Sequence, residues 1–280
     1  MKKYLMVLLI LVLGIVLAAC SSDGNNSSAK ENTSSTKLGT LEKIKEKGVL
    51  TVISSNDVPF AYIDKDSKEF VGIDAEIIKE IAKRLGIERV EMKEVKFENM
   101  LIELNKGDAD IVADGMYIND DRKKVANFTE PWYQQGEGLI VLKDSELTSL
   151  DQLSDKIVGA QKGTTFQPFL DELQKQGEIK EVKIFGSQAE LLLAVNTKKI
   201  DAAVTDSATA AFAIKTDPTL NIKLASPYTP HFDGQIGAAI RLDDEEFYDA
   251  VSEELQKLKD EGFILEVLKK YGLGEDNLIE

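Results

Sequence analysis

Cysteine and histidine are almost absent from this chain of 280 residues. Each occurs once, as Cys20 and His231. A single cysteine cannot close an internal disulfide, so the fold must depend on its apolar core. The sequence also lacks the cysteine and histidine clusters that bind transition metals, and it lacks a glycine-rich phosphate loop. It therefore predicts no metal site and no cofactor, and it gives little support to thiol or histidine catalysis.

Long apolar runs are missing except at the amino terminus. Lys2 and Lys3 precede an apolar stretch from Leu5 to Ala19, and Cys20 follows it directly. A basic start, a short apolar stretch and small residues before a cleavage point are typical of a secretory signal. The stretch is shorter than the roughly 20 residues that cross a bilayer core. An uncleaved anchor helix is the alternative.

The segment 17–20 (LAAC) resembles the lipobox of bacterial lipoproteins, in which the cysteine is acylated and becomes the first residue. We therefore expect residues 1–19 to be a signal peptide and Cys20 to carry a lipid. Residues 20–37 are polar and have almost nothing to bury, so a flexible tether is expected there.

Basic residues are scarce as well. The 34 lysines and arginines face 49 aspartates and glutamates, a formal net charge of −15 that becomes −17 if Lys2 and Lys3 are removed with the signal. Such an acidic surface disfavours nucleic acid and electrostatic binding to anionic lipid. We expect no nucleic-acid partner, and contact with the membrane only through the lipid anchor.

Short β-like runs alternate with amphipathic helical stretches from residue 38 onward. Strands are predicted at 50–54, 109–113, 157–161, 182–185 and 202–205, and helices at 74–85, 97–105, 165–174 and 188–195. In the first helix Ile77, Ile81 and Leu85 recur four residues apart, and Gly86 follows as a stop. This alternation predicts an α/β fold with largely parallel sheets.

A weak internal repeat links 101–110 (LIELNKGDAD) to 192–201 (LLAVNTKKID). Each copy is followed by three small or branched apolar residues, and then by Asp114-Gly115 in the first copy and by Thr205-Asp206 in the second. Two lobes of similar design would produce this repeat, and a chain of this length is large enough to divide into two. Chance similarity between helix–strand junctions is the alternative.

Eight short motifs occur in a fixed order along the chain. They are 48–52 (GVLTV), 58–60 (VPF), 72–77 (GIDAEI), 108–112 (DADIV), 121–124 (DRKK), 127–133 (NFTEPWY), 163–165 (GTT) and 201–204 (DAAV). In this order they resemble the family 3 extracellular solute-binding proteins, the amino-acid receptors of ABC importers. The resemblance runs from about Leu38 to Leu273, and it depends on the order of the motifs more than on any one of them. Ala75 stands where the family usually has a larger apolar residue.

The resemblance implies a two-lobed periplasmic-binding-protein-like fold with the ligand between the lobes. We expect residues 38–142 and 237–280 to form lobe 1, and residues 143–236 to form lobe 2. Two hinge strands would cross near Gly138–Leu142 and Gly234–Ala238, where glycine eases the backbone changes of closure. The ligand would lie at the carboxyl ends of the strands, where open α/β sheets bind ligands.

The resemblance also implies how the cleft would hold an amino acid, whose carboxylate and ammonium both need partners when water is excluded. Arg122 is expected to grip the carboxylate with its planar guanidinium, and Thr164 and Thr165 to hold it at a helix amino terminus. Asp206 is expected to receive the ammonium, beside the carbonyl of Gly115. Without the resemblance, Arg122 reads as a solvated charge and the other side chains as helix caps.

Four further residues bear on the type of ligand. Phe60, Phe97 and Tyr117 match family positions that face the cleft, and Asp57 stands where many members have an aromatic ring. An acid beside several rings suits a cationic or zwitterionic group. The alternative is that Asp57 shapes the turn before the next proline and that the rings belong to the core.

These residues point in two directions. Asp57 and its aromatic neighbours resemble the branch that binds ectoine-type solutes, whereas Asp206 resembles the amino-acid branch. Receptors for basic amino acids often carry an acid at the position of Ser54, and it is missing here. The expected ligand is a small polar amino acid or an ectoine-like zwitterion.

The predicted function is that of an extracytoplasmic substrate-binding lipoprotein, a monomer that delivers its ligand to ABC permease subunits. A sensory or adhesive lipoprotein that binds the same ligand is the first alternative. An enzyme on the same fold is the second, since fold alone does not decide function and the acidic residues leave carboxylate catalysis open. We expect a binding protein and not an enzyme.

Overall fold

A computed structural model describes residues 39–232 and 234–279. The predicted signal peptide, the lipid site at Cys20 and the predicted tether lie outside the described residues. Within the described ranges, no helix has both the length and the apolar character needed to cross a bilayer.

The described residues form fourteen strands and nine α-helices. The strands are β1 (Val49–Ser54), β2 (Tyr62–Ile63), β3 (Phe70–Val71), β4 (Arg89–Glu94), β5 (Ile111–Val112), β6 (Asn127–Phe128), β7 (Tyr133–Gln135), β8 (Glu137–Leu142), β9 (Ile157–Gln161), β10 (Glu181–Phe185), β11 (Ala202–Asp206), β12 (Ile222–Leu224), β13 (Gly234–Ile236) and β14 (Ala239–Ile240). The helices are α1 (Thr40–Lys47), α2 (Ile73–Arg84), α3 (Met100–Lys106), α4 (Asp120–Lys123), α5 (Phe166–Lys175), α6 (Gln188–Asn196), α7 (Ser207–Thr216), α8 (Glu245–Asp260) and α9 (Phe263–Lys270). Short 3₁₀ turns occur at Phe97–Asn99, Leu150–Gln152 and Glu275–Asn277.

The first sheet has the strand order β4-β1-β5-β14-β6. Its central strand β1 pairs in parallel with β4 and β5, whereas β14 is antiparallel to both β5 and β6. Helix α2 buries Ile77, Ile78 and Ile81 completely, and α8 and α9 pack against it. We call the unit around this sheet the first lobe.

The second sheet has the order β10-β9-β11-β8-β12. Strand β9 is parallel to β10 and β11, and β8 is antiparallel to β11 and β12. Every residue of β11 is buried, as expected of a strand covered on both faces. Helix α6 buries Leu191 and Val195. We call this unit the second lobe.

The predicted elements each overlap an observed one, with two differences. The helix predicted at 97–105 begins as a 3₁₀ turn and continues as α3. The strand predicted at 109–113 is reduced to β5, although the amides of Asp110 and Ala113 still donate to the carbonyls of Thr51 and Ile53 on β1. The ladder contacts of β5 therefore extend over the predicted run.

The segments that cross between the lobes are β7 and β13, which pair antiparallel to each other. The second predicted crossing, Gly234–Ala238, includes β13. The first, Gly138–Leu142, is wrong in position, because it lies in β8 and pairs with β11 and β12 inside the second sheet. Residues 138–141 are an apolar run buried on both faces, which fits an interior strand better than a hinge. The sheet changes between β6 and β8, so the expected boundary at residue 142 is too late.

Candidate ligand-binding site

The carboxyl ends of parallel strands from both lobes meet at one pocket. Seven of the nine predicted ligand-binding residues line it together with Phe166, and they are Phe97, Gly115, Tyr117, Arg122, Thr164, Thr165 and Asp206. The free volume is only about 10 Å³, close to the smallest cavity that holds one water. In this arrangement of the lobes the pocket has no room for a molecule larger than water.

Phe60 and Asp57 do not line this pocket. Phe60 is 2% exposed and belongs to the apolar core. Its ring lies against Gly115, where a Cβ would come within 2.6 Å of it. The prediction that Phe60 faces the cleft is not met, because the ring supports the pocket floor from behind. Asp57 lines a neighbouring interlobe groove instead.

Arg122 reaches from the first lobe to the second. Its Nη1 donates to the carbonyl of Tyr117 (2.5 Å) and its Nη2 to the carbonyl of Gly163 (3.0 Å). The guanidinium carbon lies 5.5 Å from the ring centroid of Phe97, a cation–π contact. Burial lowers the pKa of Arg122 to about 10, and the charge of Asp206 acts in the opposite direction. The side chain therefore stays cationic at neutral pH.

The loop at residues 163–165 closes against the first lobe. Gly163 has φ +81°, and a Cβ there would lie 2.7 Å from the Cα of Glu98. Only glycine permits this approach. The Thr164 hydroxyl donates to the carbonyl of Gln161 (2.8 Å). Thr165 precedes α5 but makes no side-chain capping hydrogen bond, so its hydroxyl is not committed to the cap.

Asp206 is 6% exposed and, although it precedes α7, its carboxylate caps no helical amide. The alternative role as an N-cap is therefore not observed. Burial raises the pKa of Asp206 to about 7, the nearby charge of Asp57 adds to this rise, and Tyr117 and Arg122 oppose it. Asp206 thus places a buried carboxyl group opposite the guanidinium of the other lobe.

Gln135 contacts the predicted site residue Asp206, and the sequence reasoning missed it. Its Nε2 donates to Oδ1 of Asp206 (2.8 Å), and its buried Oε1 has no hydrogen-bond partner among the described residues. A carboxylate and an amide carbonyl thus lie side by side, the pair of acceptors that suits an ammonium group. Gln135 ends β7, so placing the first hinge at Gly138–Leu142 hid its position.

Tyr117 packs closely against the crossing strands β7 and β13. The Tyr117 hydroxyl donates to the carbonyl of Gln135 (3.2 Å), and its ring meets Phe166 edge-on at 5.6 Å. A Cβ on Gly234 would lie 2.0 Å from the Tyr117 ring. Gly234 is therefore required for close packing of the crossing strand β13 against the pocket.

Asp74 holds the floor of the pocket in place. Its Oδ2 accepts the amide hydrogen of Gly115 (2.5 Å) and its Oδ1 accepts the hydroxyl hydrogen of Tyr133 (2.8 Å). Burial raises the pKa of Asp74 to about 7 despite these two bonds. The acid of the 72–77 motif is thus a support for Gly115, at φ +60°, and it makes no contact with the pocket itself.

Asp114 is a second residue that the sequence reasoning did not select, and it lies against Ser54 and Ser55. Its Oδ1 accepts from the Ser54 hydroxyl (2.7 Å), and its Oδ2 accepts from the amide (2.9 Å) and hydroxyl (2.6 Å) of Ser55. Burial and the charge of Asp57 raise the pKa of Asp114 well above its usual value. The internal repeat aligns Gly115, the next residue, with Asp206. The repeat was therefore the sequence feature that could have identified Asp114.

The lone histidine and tryptophan lie away from the pocket. His231 is partly exposed, with Nδ1 3.2 Å from Oε1 of Glu137, and its ring packs 5.4 Å from Phe169. Trp132 is 1% exposed, and its amide donates to the carbonyl of Ile236 on β13 (2.9 Å). Across residues 39–232 and 234–279, no three His, Cys, Asp or Glu side chains converge as metal ligands do.

The sequence profile of the bacterial extracellular solute-binding proteins, family 3, matches residues 50–274. The chain belongs to this family. It is 30% identical to the L-cystine-binding protein TcyA of Bacillus subtilis (strain 168), over 99% of both chains. It is also 30% identical to the ABC transporter glutamine-binding protein GlnH of the same organism, over 97% of both chains.

Solved structures of similar proteins have the same fold. An ancestral arginine-binding protein bound to arginine superposes with a TM-score of 0.73 at 30% identity, covering 80% of this chain and 98% of that chain. An ancestral amino-acid-binding protein, AncCDT-1, described as a precursor of cyclohexadienyl dehydratase, gives 0.75 at 30% identity, covering 83% and 99%. As a family 3 solute-binding protein, the chain has the predicted two-lobed α/β fold and an extracytoplasmic solute-binding role.

Proposed function

We propose that this protein captures a free amino acid between its lobes and delivers it to the permease subunits of an ABC importer. The observation that carries the proposal is that Arg122 and Asp206, opposite in charge and from different lobes, line the same pocket. The named ligands of the relatives, cystine, glutamine and arginine, share one α-carboxylate and α-ammonium arrangement. A cationic and an anionic side chain match those two groups.

The carboxylate would bind to Arg122 and to the amino terminus of α5. A guanidinium has five N–H donors, and two of them reach carbonyls of Tyr117 and Gly163. The remaining donors can face a ligand carboxylate, and the Thr165 hydroxyl and the first amides of α5 add further donors. Because α4 and α5 belong to different lobes, a carboxylate held by both stabilises the closed form.

The ammonium would bind between Asp206 and Oε1 of Gln135. Both are buried acceptors, and Gln135 sits on β7, one of the two crossing strands. Ammonium binding is therefore linked directly to the segment that must bend when the lobes close. A closed protein would then dock on the permease, which would reopen it.

We propose binding and not catalysis as the role of this cleft. The relatives are named as binding proteins, and His231 lies outside the pocket, on Glu137 and Phe169. Anchoring through a lipid on Cys20 and function as a monomer complete the proposal. Sensing of the same ligand without transport would use the same cleft.

A thermal-shift screen of the purified protein against the amino acids, cystine, ectoine and betaines tests this proposal. A ligand at about 100 to 1,000 times its Kd adds about 2.7–4.1 kcal/mol of stability. At about 2–4 °C per kcal/mol for a protein of this size, Tm should rise by several degrees. No shift with any α-amino acid would refute the proposal, and a shift with ectoine alone would change the ligand class.

A further inference from the structure

Three carboxyl groups surround the cleft, whereas Arg122 supplies one guanidinium. Asp57, Asp114 and Asp206 are each at most 6% exposed. Asp57 lies close enough to raise the pKa of both other acids by its charge. One guanidinium can balance one of these carboxylates, and buried charges without partners are costly. The site therefore has room for additional positive charge.

Asp57 and Asp114 lie beside each other at the end of β1 and β5. Asp114 is held from behind by Ser54 and Ser55, so both of its oxygens already accept hydrogen bonds. Asp57 is held by its backbone, since its carbonyl accepts the amides of Phe60 and Ala61 (2.9 and 3.0 Å). Its side chain lines the interlobe groove together with Ser55. Asp57 is thus the member of the pair that a ligand can reach.

Two buried polar side chains of the second lobe accompany Asp57, with Gln161 near its carboxyl group and Thr209 in the same groove. Gln161, at the end of β9, is 1% exposed, and neither amide atom has a partner among the described residues. Its side chain is near enough to Asp57 to lower the pKa of that carboxyl. Thr209, on α7, is 3% exposed with an unpartnered hydroxyl. It lines the same groove as Asp57.

The groove has the space that the central pocket lacks. It holds about 560 Å³ between the loop at 55–58 and the helices α6 and α7. Its rim carries Lys65, Glu94 and Asp217, and all three are exposed. A ligand whose amino-acid head lies between Arg122 and Asp206 can extend a side chain toward Asp57 and this groove.

We propose that Asp57, backed by Asp114 and flanked by Gln161 and Thr209, is a subsite for a cationic group on the ligand side chain. The inference depends on the proposed function, since it names the class of amino acid that the cleft binds. Preferred ligands carry a second positive charge on an extended side chain, such as a guanidinium or a distal ammonium. The carboxyl of Asp57 receives that cation, and the hydroxyl of Thr209 and the carbonyl of Gln161 accept its remaining N–H groups.

Charge balance supports this class. A neutral zwitterion pairs Asp206 through its ammonium and Arg122 through its carboxylate, and it leaves Asp57 without a cationic partner. A ligand with one net positive charge pairs Asp57 as well, while both oxygens of Asp114 already accept hydrogen bonds from Ser54 and Ser55. A cationic ligand therefore pairs the buried carboxyl of Asp57 in the closed cleft, whereas a neutral one does not.

Isothermal titration calorimetry with L-arginine and L-citrulline tests the subsite, because the two ligands match in shape and differ in side-chain charge. The full-length protein should bind L-arginine at least about a hundredfold more tightly, because L-citrulline leaves the buried carboxyl of Asp57 without a cationic partner. Asp57→Asn should reduce this ratio to about threefold or less by weakening L-arginine alone. Glu88→Gln removes one exposed acidic charge that does not line the groove and should leave the ratio within about twofold.

The ratio should also depend on pH. Burial raises the pKa of Asp57 to about 6, so the preference for L-arginine should grow from pH 5 to pH 7.5 as that carboxyl ionises. Asp114, Asp206 and Arg122 surround Asp57 in the cleft, and they face both ligands alike because L-arginine and L-citrulline share the same amino-acid head. The Asp57→Asn variant should show no such trend.

Equal affinities for the two ligands in the unmodified protein would overturn the inference while leaving amino-acid capture intact. So would a ratio that survives in Asp57→Asn. Failure of every amino acid to bind would overturn the proposed function too. The ratio in the unmodified protein decides the question even if Asp57→Asn does not fold.

Discussion

Replacing Arg122 by alanine is the sharpest test of the cleft. Arg122→Ala removes the guanidinium that contacts Tyr117, Gly163 and the ring of Phe97. We expect amino-acid binding to be lost while the unliganded protein keeps its Tm within a few degrees. The loss of affinity and the nearly unchanged Tm have different physical origins, so both the Kd and the Tm must be measured.

The expected loss of affinity follows from the hydrogen bonds that the guanidinium would make to the ligand carboxylate. A charge-assisted hydrogen bond contributes about 1.5–3 kcal/mol, so a two-pronged grip on a carboxylate contributes about 3–6 kcal/mol. At about 1.4 kcal/mol per factor of ten, Kd should rise roughly 10²- to 10⁴-fold. Arg122→Lys keeps the charge but loses the planar fork, and its Kd should fall between these limits and the unmodified value.

The expected change in the free energy of unfolding is small because two contributions of Arg122 oppose each other. The pKa of Arg122 falls from 12.5 to about 10 on folding. At about 1.36 kcal/mol per pKa unit, keeping the guanidinium charged costs the folded state on the order of 3 kcal/mol. Solvent around the exposed part of the side chain lowers this cost. Removing the side chain ends this cost and also ends its contacts, so the net change should be about 1 kcal/mol or less.

Calorimetric titration with the ligand found in the screen, together with thermal unfolding with and without it, measures both terms. Lys123→Ala is the matched control, since Lys123 is the next residue of α4, has the same charge and is exposed. Unchanged affinity in Arg122→Ala would refute its role in the cleft. Equal loss of Tm with and without ligand would show that Arg122 is a structural residue.

Three further outcomes are expected. Gln135→Leu should weaken every α-amino acid about tenfold by removing an acceptor for the ammonium, and equal affinity in titration would contradict this. Gly234→Ala should cost about 1–3 kcal/mol in urea unfolding because its Cβ would lie 2.0 Å from the Tyr117 ring. Gly274→Ala, which meets nothing within 4 Å, should cost about 0.5 kcal/mol or less. Finally, the raised pKa of Asp74, about 7 against 3.8, means that the folded state holds a proton that the unfolded state releases. The free energy of unfolding should therefore fall between about pH 4 and pH 7. Asp74→Asn, which cannot ionise, should flatten that fall, and an unchanged pH profile would show that Asp74 is not the source.

Most strands and helices of this protein follow from local sequence pattern. Runs such as 157–160 and 202–204 have no polar side chain, which suits strands covered on both faces. The spacing of Ile77 and Ile81 fits a helix with one buried face. These patterns act within a few residues, so a single sequence reveals them.

The hinge illustrates where local pattern fails. Residues 133–135 and 138–142 are both β-like, and no local feature distinguishes a crossing strand from a sheet strand. The difference lies in their partners, since β7 pairs with β13 and β8 pairs with β11 and β12. The glycine at 138 suggested a hinge but lies inside the second sheet, where a Cβ would come within 2.4 Å of Leu224.

The sequence by itself determined the α/β class and the family, and it predicted Arg122, Thr164, Thr165 and Asp206 as neighbours in one pocket, because each lies in or next to an ordered motif. Only the tertiary structure decided what surrounds them. Phe60 supports Gly115 from behind, Gln135 joins Asp206, and Asp114 and Gln161 meet Asp57 from separate lobes. These contacts join residues tens of positions apart, and such proximity is fixed by sheet pairing and lobe closure, which no local pattern encodes.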